Sequence, residues 1–181
     1  MKRIAIAILA AVIAAAVPAA AQDKPQAPKP GPEHKQLGYF VGNWHSEGEM
    51  KPGPMGPGGK MSGNDACKWM GDGFFVTCTM SLTSPLGKVS GLGVMGYDSA
   101  KKAYTYNGFN SMGENESATG TADGKTWTYT NESVMGGKNV KGRYTIVELS
   151  PDSYTFKFET SEDGTSWAPM MEGKATRVAA K

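Results

Sequence analysis

Beyond residue 43 the chain is a run of short segments in which apolar and polar residues alternate, each closed by a turn signal. Alternation with period two marks a strand with one buried face. Short strands at 8–12-residue spacing indicate a sandwich or a barrel. The turn signals are Asp72-Gly73, Ser84-Pro85-Leu86-Gly87, Asp98-Ser99, Asp123-Gly124, Gly136-Gly137, Ser150-Pro151-Asp152 and Asp163-Gly164. A first strand opens at Trp44. Others are predicted at roughly 60–71, 74–84, 87–98, 102–111, 114–122, 125–134, 138–149, 153–161 and 166–178. Nothing between them is long enough for a crossover helix, so neighbours pair antiparallel. The predicted fold is all-β: a single antiparallel closed or nearly closed barrel of about ten strands, preceded by one or two helical turns between Glu33 and Phe40.

Several strands declare their faces. Trp44, Ser46, Gly48 and Met50 share one side of the first, with His45, Glu47, Glu49 and Lys51 on the solvated side. Phe74, Val76, Cys78, Met80 and Leu82 form a core set, as do Tyr154, Phe156 and Phe158. Strand 138–149 conflicts with its neighbours. A four-residue loop over Ser150–Ser153 turns Arg143 inward, which puts Thr126, Thr128 and Thr130 inside and Trp127 and Tyr129 outside. One register is therefore wrong, or a bulge intervenes. Strand 114–122 is polar on both faces, which suits an edge or a wet lumen. The Gly/Pro stretch Pro52–Gly59 reads as a long loop or as a flap at a barrel mouth.

The first residues carry a separate message. Lys2 and Arg3 precede an uncharged apolar run, Ile4–Val17. Pro18 ends it, and Ala19-Ala20-Ala21 supplies a small-x-small cleavage pattern. Residues 1–21 are read as a secretory signal peptide, too short for a membrane span of roughly 20 apolar residues. Residues 22–32, with Pro25, Pro28, Pro30 and Pro32, form a spacer, and the barrel domain occupies 33–181. The expected location is periplasmic or secreted, without stable membrane insertion after cleavage. Cleavage removes two of the 19 basic residues and none of the 17 acidic ones, so the mature chain has a formal charge of zero. No Lys/Arg cluster provides the basic footprint of a nucleic-acid binder.

Cys67 and Cys78 would meet an oxidising compartment, where disulfides persist. If Asp72-Gly73 is a two-residue hairpin loop, Gly71 faces Phe74, Trp69 faces Val76 and Cys67 faces Cys78. A Cys67–Cys78 disulfide is predicted, although this is a hydrogen-bonded pair, whose α-carbons stand farther apart. Two sulfurs alone make a poor metal site.

Catalytic signals are weak. His34 and His45 read as surface histidines, and Glu114, Glu116 and Glu159 show no pairing that singles out an acid and a base. No catalytic residue, metal ligand or cofactor is assigned. Met50, Met55, Met61, Met170 and Met171 read as adaptable packing around a cavity, with thioether capture of Cu(I) as the alternative.

Beyond these patterns, the chain resembles the bacterial family called domain of unknown function 1579. The resemblance rests on Pro32-Glu33-His34, Leu37, Val41-Gly42-Asn43-Trp44, Glu47-Gly48, Gly71-Asp72-Gly73-Phe74, Leu92-Gly93 and Gly96-Tyr97-Asp98. Lys102, Tyr104, Ser111-Met112-Gly113, Gly120, Arg143, Gly164, Met171-Glu172 and Arg177 complete it. It covers nearly all of the mature chain and implies a calycin-like or lipocalin-like barrel, with no established activity or cofactor. Asn107 stands where tryptophan is common, and the two cysteines look like an addition. Trp44 and Arg177 resemble the lipocalin arrangement in which a basic residue of the last strand closes one barrel end over a first-strand tryptophan. The Leu-x-x-x-Val-Gly-x-Trp opening is similar to that of haem-binding nitrobindin barrels. Those barrels use a histidine near the C-terminal end, and this chain has none after His45.

The leading expectation is a binding module that holds a small hydrophobic or amphipathic ligand in its lumen. Trp69, Phe74, Val76, Met80, Phe156 and Phe158 are the expected lining, with Tyr104 and Arg143 as polar anchors. The alternatives are a solid barrel that meets a protein partner through exposed Trp127, Tyr129 or Trp167, and an enzyme.

Overall fold

A computed structural model describes residues 27–53, 56–71, 73–135 and 137–179. Residues 1–21, read above as a signal peptide, and the first part of the expected spacer lie outside them, as does the tip of the Gly/Pro loop. A single turn of α-helix, α1 (Pro32–Gln36), runs into a 3-10 turn (Leu37–Phe40). Ten strands follow: β1 (Gly42–Met50), β2 (Gly59–Met70), β3 (Phe75–Ser84), β4 (Gly87–Asp98) and β5 (Ala103–Asn110), then β6 (Asn115–Asp123), β7 (Thr126–Met135), β8 (Lys138–Ser150), β9 (Ser153–Ser161) and β10 (Ala168–Val178). Each pairs antiparallel with the next, and β1 also pairs with β10, so the sheet closes into a barrel without an edge. The strand limits lie within two residues of those expected. No helix of the described residues is long and apolar enough to cross a membrane.

Closure brings β1 against β10 through facing glycines, Gly48 and Gly173. A Cβ on either would collide with the backbone of the opposite strand. Two glycines thus permit the close approach that a side chain would forbid.

The β2/β3 hairpin has the expected register. Trp69 lies opposite Val76, and Cys67 opposite Cys78, joined as a disulfide with α-carbons 4.0 Å apart. The conflict around β8 is resolved by a bulge. Pairing runs from Glu148↔Tyr154 to Ser150↔Ser153, which leaves Leu149 unpaired and half exposed. One extra residue moves every side chain upstream to the other face. Tyr144 and Ile146 therefore point inward with Trp127 and Tyr129, while Arg143 and the threonines of β7 point outward.

The two barrel ends differ. The end bearing α1 and the β2–β3, β4–β5, β6–β7 and β8–β9 turns is packed solid. Phe40 lies 5.0 Å from the Trp127 ring, Tyr104 4.8 Å from Trp127, and Tyr154 4.9 Å from Trp44, centroid to centroid. Leu37 and Val76 are wholly buried beneath them. Trp44 donates its indole N–H to the Phe40 carbonyl at 2.8 Å, and Trp127 donates to Glu148 at 2.7 Å. His34 is buried here rather than on the surface. Its Nδ1 accepts the Gly31 N–H, and its ring meets Phe74 and Tyr97 edge-on. Arg177 fastens this end from outside. Its guanidinium lies 4.3 Å above the Trp44 ring and donates to the carbonyls of Tyr39, Val41 and Pro151 and to the Asp152 carboxylate.

Candidate functional site

At the opposite end the barrel is hollow. A cavity of about 450 Å³ runs from Phe40 and Trp44 toward a mouth formed by Ser84, Leu86, Asn110, Met112 and Glu114. The inward positions of the strands line it. β1 supplies Ser46 and Met50; β2 supplies Met61, Gly63, Asp65 and Cys67; β3 supplies Cys78, Met80 and Leu82. The far wall carries Tyr106, Glu116, Ala118, Tyr129 and Asn131, then Tyr144, Ile146, Tyr154, Phe156, Phe158 and Met171. The volume falls in the range of small-molecule sites, and the lining is mostly apolar with a few polar groups, as such sites are.

Local sequence explains how the polar groups are held. Tyr106 lies across Gly93 and Gly108; a Cβ at Gly93 would come 2.8 Å from its ring. Tyr144 stacks on Phe156, with the ring planes 12° apart. Glu116 accepts a hydrogen bond from the Asn131 amide at 2.9 Å, and Glu114 one from the Asn110 amide at 2.7 Å. The Glu116 carboxyl is pushed up, first by burial and then by the Glu114 charge. Asp65, opposite Trp44 on β1 and Met80 on β3, differs from both. Burial alone pushes its pKa up to about 6, and no cation or hydrogen-bond donor among the described residues offsets that. Burial is also the main reason that Tyr106 is pushed up to about 12. The Tyr129 hydroxyl is buried without a hydrogen-bond partner among the described residues.

The expected lining residues divide into three groups. Met80, Phe156 and Phe158 do line the cavity. Trp69, Phe74, Val76 and Tyr104 belong to the packed end instead. Trp69 borders Gly38, Phe74 meets His34, Val76 has no exposure, and Tyr104 donates to Gln36 and to the Glu33 carbonyl. The N-terminal helical turns descend on these four and seal them off. Arg143, expected as an inward anchor, lies on the outer wall because of the bulge at Leu149. There it pairs with Glu159 at 2.9 Å and covers the Trp167 ring at 4.0 Å. Trp127 and Tyr129, offered as a partner surface, are buried. Asp65 and Tyr144, outside the expected set, also line the cavity. Asp65 is in phase with Met61, Gly63 and Cys67, which was the available signal.

Among the described residues, no group of three or more His, Cys, Asp or Glu side chains is placed to hold a metal ion.

A family model described as "Protein of unknown function (DUF1579)" matches residues 29–177. The chain belongs to this family. A search of curated proteins finds no match. Among solved structures, this DUF1579 protein is similar to Rv2717c from M. tuberculosis, with a TM-score of 0.56 and 14% identity over 82% of this chain and 99% of that one. It is also similar to the S-type phycobiliprotein lyase CPES from Guillardia theta, with a TM-score of 0.53 and 10% identity over 82% and 94% of the two chains. At such identities the likeness is one of fold.

Proposed function

We propose that this DUF1579 protein is an exported binding barrel that holds one small hydrophobic or amphipathic molecule in its lumen. The observation that carries the reading is the asymmetry of the barrel. One end is sealed by interlocked aromatic rings and Arg177, while the other leaves about 450 Å³ open to the mouth. A barrel built only as a scaffold gains stability by filling such a space, because voids forfeit packing contacts. Export is supported by the Lys2/Arg3 and Ile4–Val17 leader pattern and by a disulfide in the barrel wall.

Blocking the lumen tests this reading. Ala118 faces the cavity from β6 and is nearly buried. The mature protein is expected to enhance the fluorescence of the neutral dye Nile red, and Ala118→Trp to abolish the enhancement while keeping a cooperative melt. Dye binding unchanged in a folded Ala118→Trp variant, or no binding by the wild type, would overturn it.

A further inference from the structure

The lumen contains carboxylates and aromatic rings, but no lysine or arginine of the described residues lines it. That imbalance bears on the charge of the guest. An anionic ligand would bring a further negative charge beside Asp65, Glu114 and Glu116 in a space with few donors. A neutral apolar ligand would cover the Asp65 carboxylate and leave it without water or a partner, which is costly for a charge. A cation removes that cost.

The surroundings of Asp65 suit one kind of cation. The phenols of Tyr106, Tyr144 and Tyr154 are held above their ordinary pKa mainly by burial, with the Asp65 charge a further contributor to each. Tyr106, Tyr144 and Tyr154 line the same lumen as Asp65, and Tyr154 packs on Trp44, the residue opposite Asp65 on β1. Aromatic faces attract cations electrostatically, and quaternary ammonium groups are held in such aromatic cages. Above this group the wall is rich in methionine, whose polarizable thioether adapts to irregular apolar bodies. The Tyr129 hydroxyl, in the same wall, is buried without a partner among the described residues.

We propose that the lumen selects an apolar cation, an ammonium group carried on a hydrocarbon or aromatic body, with Asp65 as its counter-charge and the rings of Tyr106, Tyr144 and Tyr154, which line the same space, as its aromatic wall. This rests on the lumen being a ligand site and adds the class of ligand. The ammonium head lies at the carboxylate and the apolar body extends past the methionines toward the mouth. Glu114, at the mouth, and Glu116 draw the same sign of charge inward.

Three probes of one chain length test it: decyltrimethylammonium, 1-decanol and decanoate, titrated calorimetrically into the mature, disulfide-intact protein at pH 7.5 and below their micellar concentrations. The expected order is ammonium tightest, by about tenfold or more over the alcohol, with decanoate weakest. Asp65→Asn is expected to bring the ratio of ammonium to alcohol affinity close to one. Decanol or decanoate binding as tightly as the ammonium, or a ratio unchanged by Asp65→Asn, would overturn the cation assignment and leave the binding reading standing. No binding of any probe would overturn both. Should the variant fail to fold, the wild-type ratio at pH 5 replaces it. Below the Asp65 pKa the ratio must fall, with Glu114 and Glu116 the other carboxylates facing the lumen, and a constant ratio overturns the proposal.

Discussion

Asp65 shares the lumen with phenols and thioethers, no cation or donor of the described residues balances its charge, and burial pushes its pKa up to about 6. An acid whose folded pKa exceeds its unfolded value favours the protonated form in the native state. Its ionisation therefore destabilises the fold as pH rises from about 4 to about 6 and adds no further change above. Glu116, also pushed up by burial, acts in the same direction. Because Asp65 reaches solvent through the mouth, the cost is screened and is on the order of 2 kcal/mol. Asp65→Asn is expected to raise the denaturation midpoint at pH 7 and to flatten part of the decline between pH 4 and 6, read by urea titration at several pH values. A variant less stable than wild type at pH 7, with the decline intact, would show that the carboxylate has a partner. Evolution commonly retains a destabilising charge where function needs it, which is why this residue anchors the ligand proposal.

At the scale of elements, two features set the registers. The Cys67–Cys78 bond ties β2 to β3 across a separation of 11 residues. Replacing both with serine shortens no strand but frees the unfolded chain, and is expected to cost about 2–3 kcal/mol in chemical denaturation. An unchanged midpoint would mean that the hairpin is already restrained without it. The bulge at Leu149 is a second device. Deleting Leu149 leaves Glu148↔Tyr154 and Ser150↔Ser153 in regular alternation. The deletion is expected to keep the fold and the buried fluorescence of Trp127, whereas deletion of Thr145 inverts the faces of its strand and is expected to unfold it. The contrast between these features explains what was readable. The β2/β3 register follows from Asp72-Gly73 because a short turn dictates which residues face each other. The β8/β9 register does not, since a bulge leaves no compositional mark and strict alternation turns Arg143 inward. The size of Trp127 and Tyr129 against Thr126 and Thr128 was the better guide to the inner face. Alternation recovered Met80, Phe156 and Phe158. It could not reveal that α1 and the 3-10 turn seal off Trp69, Phe74, Val76 and Tyr104, because no strand period encodes where a preceding segment docks.

The whole molecule is a barrel with one solid half and one hollow half. The solid half holds the interlocked rings of Phe40, Tyr104 and Trp127, the buried His34 and the Arg177 clasp. It carries stability and leaves the hollow half free of that duty. In the hollow half, apolar walls and the carboxylates of Asp65, Glu114 and Glu116 border a space of about 450 Å³, and the Tyr129 hydroxyl is buried in the wall without a partner among the described residues. That division is what would be expected of a carrier and is wasteful in a scaffold. Native mass spectrometry of the mature protein, purified from periplasmic extract and compared with its denatured and reduced forms, tests it most directly. The expected result is a chain beginning at Gln22, lighter than its reduced form by two hydrogens, that releases one small organic molecule per barrel on denaturation. A bare native mass that also stays bare on addition of excess decyltrimethylammonium or Nile red would contradict the account.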